Sequence, residues 1–320
     1  MYDVLIIGGG PGGIYASIIS ALNKLDSCIV EALPSIGGQP NFLYPLKDIY
    51  DFPGFSSITG GNVISMLINQ MNSLSSNKPD IFLNNFVSKI ERDSNFFIIS
   101  LSNGKIIKSK SIIIATGTMS LQSKKVCVDD EEINQDNIKY VFESNEDYQN
   151  SEVVILGGGD SALDWTIHLN EKKIPKKISI VHRTNELRAR KDKIEKIFSS
   201  DIEIYLDFSI SKITNNEITI INNETGIIKN IYFDKILVQY GVKPTMNKFV
   251  DLLENISTQN NKIVVDKNFQ SSIDMVYAIG KVNSFDPTKP DLIIVSISEA
   301  AKAVYSISSK LKEKLINGRC

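Results

Sequence analysis

Asp3-Val4-Leu5-Ile6-Ile7-Gly8-Gly9-Gly10-Pro11-Gly12-Gly13 is an apolar run closed by a glycine-rich turn. The arrangement returns at Glu152-Val153-Val154-Ile155-Leu156-Gly157-Gly158-Gly159-Asp160-Ser161-Ala162. Each stretch reads G-x-G-x-x-G/A at the passage from a buried strand into a helix. Glycine permits the tight bend, lets backbone approach a pyrophosphate and packs helix on strand. The helix N-terminus supplies N–H donors and a positive dipole end. One such turn is weak evidence, but two, each with its own downstream ribose-contacting candidate, imply two dinucleotides. Two bound dinucleotides point to electron transfer between them.

The chain is long enough, at 320 residues, for about two domains, and its 42% hydrophobic and 22% charged residues are ordinary globular composition. A net charge of −2 gives no general bias toward nucleic acid. Cys28, Cys127 and Cys320 are far apart, with neither a disulfide framework nor zinc spacing, and His168 and His182 are the only histidines. No metal site is expected. No signal-peptide pattern opens the chain, and no apolar run approaches the roughly 20 residues of a membrane span. These features predict a soluble cytoplasmic protein without a membrane partner.

The first βαβ unit is expected as strand 3–7, helix 11–24 and strand 27–31. It ends in Glu31, about 20 residues after the turn, where an acid can bind a ribose hydroxyl. Val63, Ile64, Leu67, Ile68 and Met71 recur at helical spacing over 60–76. Phe86–Glu91, Phe96–Leu101 and Lys105–Lys108 predict antiparallel strands, with Asn103-Gly104 as a hairpin turn. A buried strand is expected at Ser111–Gly117. The second βαβ unit runs from Glu152 to about Arg183, followed by short strands, a strand at Lys235–Gln239, another at Met275–Gly280 and a last helix from about Ser298 to Leu315. The fold class is α/β, with two Rossmann-like, three-layer dinucleotide-binding domains. The second domain, 118–245, is inserted into the first, 1–117 and 246–320.

Further motifs join these turns: Gly37-Gly38-Gln39-Pro40, Tyr44-Pro45, Ile49-Tyr50-Asp51, Ala115-Thr116-Gly117, the extension of the second turn to Trp165, and His182-Arg183. In this combination the chain resembles the thioredoxin-reductase-like flavoproteins over essentially its whole length. Among them it is most similar to the ferredoxin/flavodoxin–NADP reductases of that type. The resemblance implies FAD on the first turn, with Gly8, Gly10, Pro11, Gly12 and Gly13 at the pyrophosphate and Glu31 at the adenosine ribose. It implies Gly38 and Gln39 beneath the isoalloxazine, Tyr44 nearby, and Tyr50 stacked on one flavin face. Thr116 and Gly117 would mark the crossover between domains. Where the family has Gly-Asp near the ribityl chain, this chain has Gly280-Lys281, and the lysine would reach the pyrophosphate as a cation.

By the same resemblance Gly157, Gly159, Asp160, Ser161 and Ala162 would hold the nicotinamide dinucleotide. An acid after the next strand would favour NAD. His182-Arg183 and then Arg188 stand there instead, and guanidinium suits the 2′-phosphate of NADP(H). Thioredoxin reductases of this fold carry Cys-x-x-Cys just before the second turn, whereas Tyr140-Val141-Phe142-Glu143-Ser144-Asn145-Glu146 contains no cysteine. Electrons would leave FAD directly for ferredoxin or flavodoxin. Lys172, Lys173, Lys176 and Lys177, or Lys124 and Lys125, are candidate landing sites for an acidic carrier. The family also implies a homodimer and a domain rotation about linkers near 117–120 and 241–246. Two alternatives stay open: an NADPH oxidase or external-disulfide reductase of the same fold, and a non-catalytic nucleotide-binding protein.

Overall fold

The computed structural model describes residues 1–117, 122–123, 126, 135–140, 142, 144–240, 242–243, 253–286 and 288–317. Lys124, Lys125, Cys127, Cys320 and most of the expected hinge segments lie outside them. The chain divides into two compact units, Met1–Leu121 with Pro244–Cys320, and Gln122–Lys243.

The first unit is built on five parallel strands in the order Val276–Ala278, Ile112–Ile114, Val4–Ile7, Ser27–Val30, Asp80–Phe82. The first four are buried along their whole length. A strand covered on both faces needs a continuous apolar run rather than an alternating one, which is how Val4–Ile7 and Ile112–Ile114 read. Helix Pro11–Leu22 packs on helices Gly60–Ser73 and Ile293–Asn317. A three-stranded antiparallel sheet, Val87–Asp93, Phe96–Leu101 and Ile106–Ser109, adds Phe97, Ile99, Leu101 and Ile107 to the same core. Its alternating burial is that of a sheet wetted on one face.

The second unit repeats the plan. Its parallel sheet runs Ile138–Lys139, Lys235–Val238, Glu152–Leu156, Lys177–His182, Glu203–Leu206. Val154, Leu156, Val181, Ile236 and Val238 form one core with Ile213, Ile218, Ile220 and Ile231 of the antiparallel sheet Phe208–Ile213, Glu217–Asn222, Ile228–Tyr232. By strand alternation Val153 and Ile155 lie on the opposite face. Where the chain enters and leaves this unit, Gln122–Ser123 and Val242–Lys243 pair antiparallel.

The α/β class and the parallel sheets expected from the sequence are the ones found. Two local expectations differ, and one short element is new. The last helix begins at Ile293, not near Ser298. Ile293-Ile294-Val295 is a β-branched run of low helix propensity, and the packing of Ile297, Ala300, Ala303, Val304 and Ile307 in the core overrides it. Lys191–Phe198 is a helix where only strands were expected, because Ile197 alone among its residues is buried and the apolar signal is thin. Gly38–Phe42, for which no element was expected, is a short helix.

Candidate functional site

The first turn closes at the C-terminal edge of its parallel sheet. Gly8 has φ +106°, and a Cβ there would stand 2.6 Å from the Ala115 carbonyl oxygen. Gly10 is the N-cap of helix Pro11–Leu22 and makes no side-chain cap, with Pro11 filling the first helical position, which has no N–H to satisfy. The next backbone N–H groups, at Gly12 and Gly13, are left for an anion. Gly13 permits the closest contact: a Cβ there would fall 1.9 Å from the Gly8 carbonyl oxygen. Gly12 would meet Ser296 and Ile279 at 3.3 and 3.4 Å, so the helix from Ile293 and the strand end before Gly280 converge on the same turn.

Glu31 is buried beside this turn. Its carboxylate accepts from Gly9 N at 2.7 Å and Leu33 N at 2.9 Å. Burial pushes its carboxyl up, opposed by the Leu33, Gly9 and Ala32 backbone donors. A carboxylate has about four lone-pair sites, which leaves room for a further hydroxyl donor. Gly38 crosses the turn so closely that a Cβ would lie 2.8 Å from Gly10 Cα. Gln39 follows half-buried, its carbonyl taken by Leu43 N. Tyr44 is partly buried, and burial, with Asp51 and Asp291 nearby, raises its hydroxyl pKa. Tyr50 is 72% exposed and takes no part in the Phe52–Phe55 pair, so it is not a core aromatic. Thr116, whose backbone N lies 3.1 Å from a Cβ built on Gly8, has a buried Oγ1 without a hydrogen-bond partner among the described residues. Gly117 follows in the left-handed region.

Gly280 is held by a network that the sequence did not announce. Glu299 Oε2 accepts from Gly280 N at 2.6 Å and from Asn283 Nδ2 at 2.8 Å. Lys289 Nζ donates to Glu299 Oε1, to Asn283 Oδ1 and to the Gly280 carbonyl, at 2.8, 2.8 and 2.9 Å. The Lys289 and Glu299 side chains are only 10% and 4% exposed. Breaking such a pair from one side strands a buried charge. Lys289→Met is expected to cost about 3–5 kcal/mol of stability in urea denaturation. Lys289→Met/Glu299→Gln, which keeps an acceptor for Gly280 N without the charge, is expected to recover most of it. Lys281 does not point a free cation at the turn; it pairs with Asp291 at 3.1 Å.

In the second unit, a Cβ on Gly157 would stand 2.4 Å from the Gln239 carbonyl oxygen. Gly159 caps helix Asp160–Glu171 without a side-chain bond. Ser161 is half-buried, and Ala162 is buried where helix meets strand. The His182 ring lies directly on the turn, since a Cβ on Gly158 would come within 2.6 Å of it. Arg188 N donates to the Gly158 carbonyl at 2.6 Å, and Gly159 bridges Arg188 in parallel. The strand end and the arginine loop are therefore gathered at the turn. Arg183 and Arg188 are exposed, and neither has a carboxylate partner among the described residues.

Both guanidinium groups bear on His182, whose pKa is lowered by burial first and then by Arg188 and Arg183. His168 is lowered by burial and then by Lys172. Its Nε2 bonds Asn145 Oδ1 at 2.8 Å, and its ring meets Phe142 and Trp165 edge-on, which is a packing role. The unfolded chain takes up these protons near pH 6.5, while the folded chain resists them. More protons on the unfolded state means stability rises with pH. Stability is therefore expected to fall as pH drops from 7 toward 5.5, and His168→Gln/His182→Gln should flatten that slope in denaturation midpoints.

The cysteine-free stretch before the second turn is filled by aromatic packing. Phe142 stacks on Trp165 with ring centroids 3.8 Å apart and on Tyr148 at 5.0 Å. Cys28, on the strand Ser27–Val30, is fully buried, and burial pushes its thiol well up, which makes it inert.

Two glycine turns on two parallel sheets, one backed by a buried acid and the other by two arginines, define the architecture of a two-dinucleotide oxidoreductase. Comparison with known proteins makes this specific. Residues 2–302 match the model of the pyridine nucleotide-disulphide oxidoreductases, and the chain belongs to that family. It is 35% identical over 319 residues to the ferredoxin–NADP reductase of Malacoplasma penetrans, covering 98% of each chain. To the ferredoxin–NADP reductase of Lactococcus lactis subsp. lactis it is 31% identical over 313 residues, covering 97% of this chain and 94% of the other. Among solved structures it resembles Lactococcus lactis thioredoxin reductase, with a TM-score of 0.64, 24% identity and coverage of 97% and 100%. The likeness to T. acidophilum thioredoxin reductase is similar, with a TM-score of 0.66 at 22% identity, covering 97% and 98%. At these identities the structural likeness is one of fold.

Proposed function

We infer that this chain is an NADPH-dependent FAD flavoenzyme that passes electrons to ferredoxin or flavodoxin, reversibly and without a dithiol. The observation that carries this reading is the nearly full-length relation to proteins named ferredoxin–NADP reductase. The geometry supports it. The first turn fits a flavin dinucleotide: a Cβ would fill the cradle at Gly8, Gly38 or Gly13, and the orphaned Thr116 hydroxyl lies beside it. Gly8–Gly13 would hold the pyrophosphate, Glu31 the adenosine ribose, Gln39 the polar ring edge, and exposed Tyr50 one ring face. Lys281, with its partner Asp291, would stand at the Gly280 end of the site.

The second turn fits NADP(H), with Gly157–Ala162 at the pyrophosphate and Arg183 and Arg188 at the 2′-phosphate. The chemistry these cofactors supply when bound is hydride transfer between nicotinamide and flavin and delivery of single electrons onward. The protein's part is to bind, orient and shield, and no side chain is required as acid or base. The division into an FAD domain (1–117, 246–320) and an inserted NADP domain (118–245) belongs to this proposal, as does a cytoplasmic homodimer. For an acidic carrier, Lys172, Lys173 and Lys176 are exposed cations without an ion-pair partner among the described residues, whereas Lys177 is engaged by Glu203 at 2.7 Å.

The test is turnover of purified protein with NADPH. Reduction of ferredoxin or flavodoxin is expected to exceed both oxygen consumption and disulfide reduction. Oxygen consumption that outruns carrier reduction would make the chain an oxidase instead, and dominant disulfide reduction would make it a thiol-route reductase.

A further inference from the structure

Lys193 belongs to none of the sequence motifs, yet it is bound to the second turn. Its Nζ reaches Asp160 Oδ1 at 3.1 Å and Asp164 Oδ1 at 2.6 Å, and its side chain is 14% exposed. Asp160 is the first residue of helix Asp160–Glu171, and Asp164 stands one turn later on the same face. Two like charges therefore flank one amine. Asp160 also occupies the helix end at which a pyrophosphate would dock, so its carboxylate is the charge that an incoming phosphate meets.

The segment that carries Lys193 is tied along the turn. Arg188 N bonds the Gly158 carbonyl at 2.6 Å, and Arg190 N reaches Asp160 Oδ1 at 3.3 Å. The Arg190 guanidinium itself is turned to Asp192, with two bonds of 3.0 Å. Lys193 is thus the amine that joins both helix carboxylates to the loop bearing Arg188.

We propose that Lys193 is a positioning residue for the dinucleotide: it neutralises Asp160 at the helix N-terminus, so that the pyrophosphate can dock. This rests on the reading of the second turn as the NADP(H) site. The pyrophosphate is common to NADPH and NADH, so Lys193 acts on both, whereas Arg183 and Arg188 act on the 2′-phosphate that only one of them has.

The experiment is equilibrium titration of the flavin-loaded protein with NADP+ and NAD+. Lys193→Met is expected to raise both dissociation constants by the same factor, about tenfold, leaving their ratio unchanged. Lys193→Met/Asp160→Asn should return both to within about threefold of the starting values, because the unscreened charge is gone. Denaturation midpoints measured alongside separate this rescue from a recovery of fold stability. Unchanged constants in Lys193→Met, a shifted ratio, or failure of Asp160→Asn to rescue would each overturn the proposal. If the unaltered protein binds neither nucleotide, the reading of the second turn fails, and this proposal with it.

Discussion

Replacing Arg183 and Arg188 together by alanine is expected to raise the KM for NADPH on the order of a hundredfold while leaving the KM for NADH within about threefold. Each charge-assisted bond to a phosphate contributes roughly 1.5–3 kcal/mol, and about 1.4 kcal/mol is tenfold. The structure makes the substitution a clean one. Arg188 touches the turn through its backbone N, which alanine keeps. Arg183 gives its carbonyl to Asn223 Nδ2 at 3.0 Å, and alanine keeps that as well. What is lost is two exposed guanidinium groups, Arg183 just after the strand Lys177–His182 and Arg188 on the loop beyond it. Loss of their charge also relieves His182, so its pKa should rise toward the ordinary value. Equal loss with NADPH and NADH in steady-state kinetics would remove the phosphate-clamp reading.

Gly13→Ala is expected to yield colourless protein. The new methyl would overlap the Gly8 carbonyl oxygen, 1.9 Å from the Cβ position, and backbone cannot turn aside as a flexible side chain does. Either the helix retreats from the strand or the turn opens, and both undo the pyrophosphate cradle. Overpacking of this kind costs on the order of 3 kcal/mol or more. Gly104→Ala is the control. It also lies in a turn with positive φ, but its methyl meets nothing within 4 Å and stands away from the site. It should cost only about 1–2 kcal/mol for the left-handed conformation and keep full flavin absorbance. Gly13→Ala purified with a full complement of flavin would contradict the assignment of the first turn.

What could be read from the chain alone divides along physical lines. Parallel strands buried on both faces leave unbroken apolar runs, and the turns that end them need glycine for steric reasons, so both survive as local patterns. Even the middle positions of the two G-x-G-x-x-G/A motifs have reasons that only the fold reveals. A side chain at Gly9 would strike Ile36, and one at Gly158 would strike His182, each at 2.6 Å. The start of the helix at Ile293 was hidden because its first residues prefer strands and its stability comes from tertiary packing. Helix Lys191–Phe198 was hidden because it is short and only Ile197 on it is buried.

The polar networks were the least legible. Lys289 and Glu299 are ten positions apart, across a loop and a helix start, and Lys193 meets Asp160 over 33 residues of sequence. No periodicity connects such partners; the approach of one element to another creates them. Lys281 was a single residue out of pattern in the sequence, and its pairing with Asp291 shows where its charge goes. The placement of Glu31, Gly38 and Thr116 around one turn, and of His182, Arg183 and Arg188 around the other, is the point at which sequence motif and geometry meet.

We propose that two dinucleotides are held on the two turns and that electrons leave the flavin for a one-electron carrier. The most direct test is the visible spectrum of the purified protein during anaerobic titration with NADPH, followed by addition of oxidised ferredoxin or flavodoxin. Oxidised-flavin absorbance is expected at the start, bleached by stoichiometric NADPH and restored as the added carrier becomes reduced. A protein that carries no flavin and cannot be reconstituted with FAD, or one whose bleached spectrum is unmoved by either carrier, would contradict this proposal.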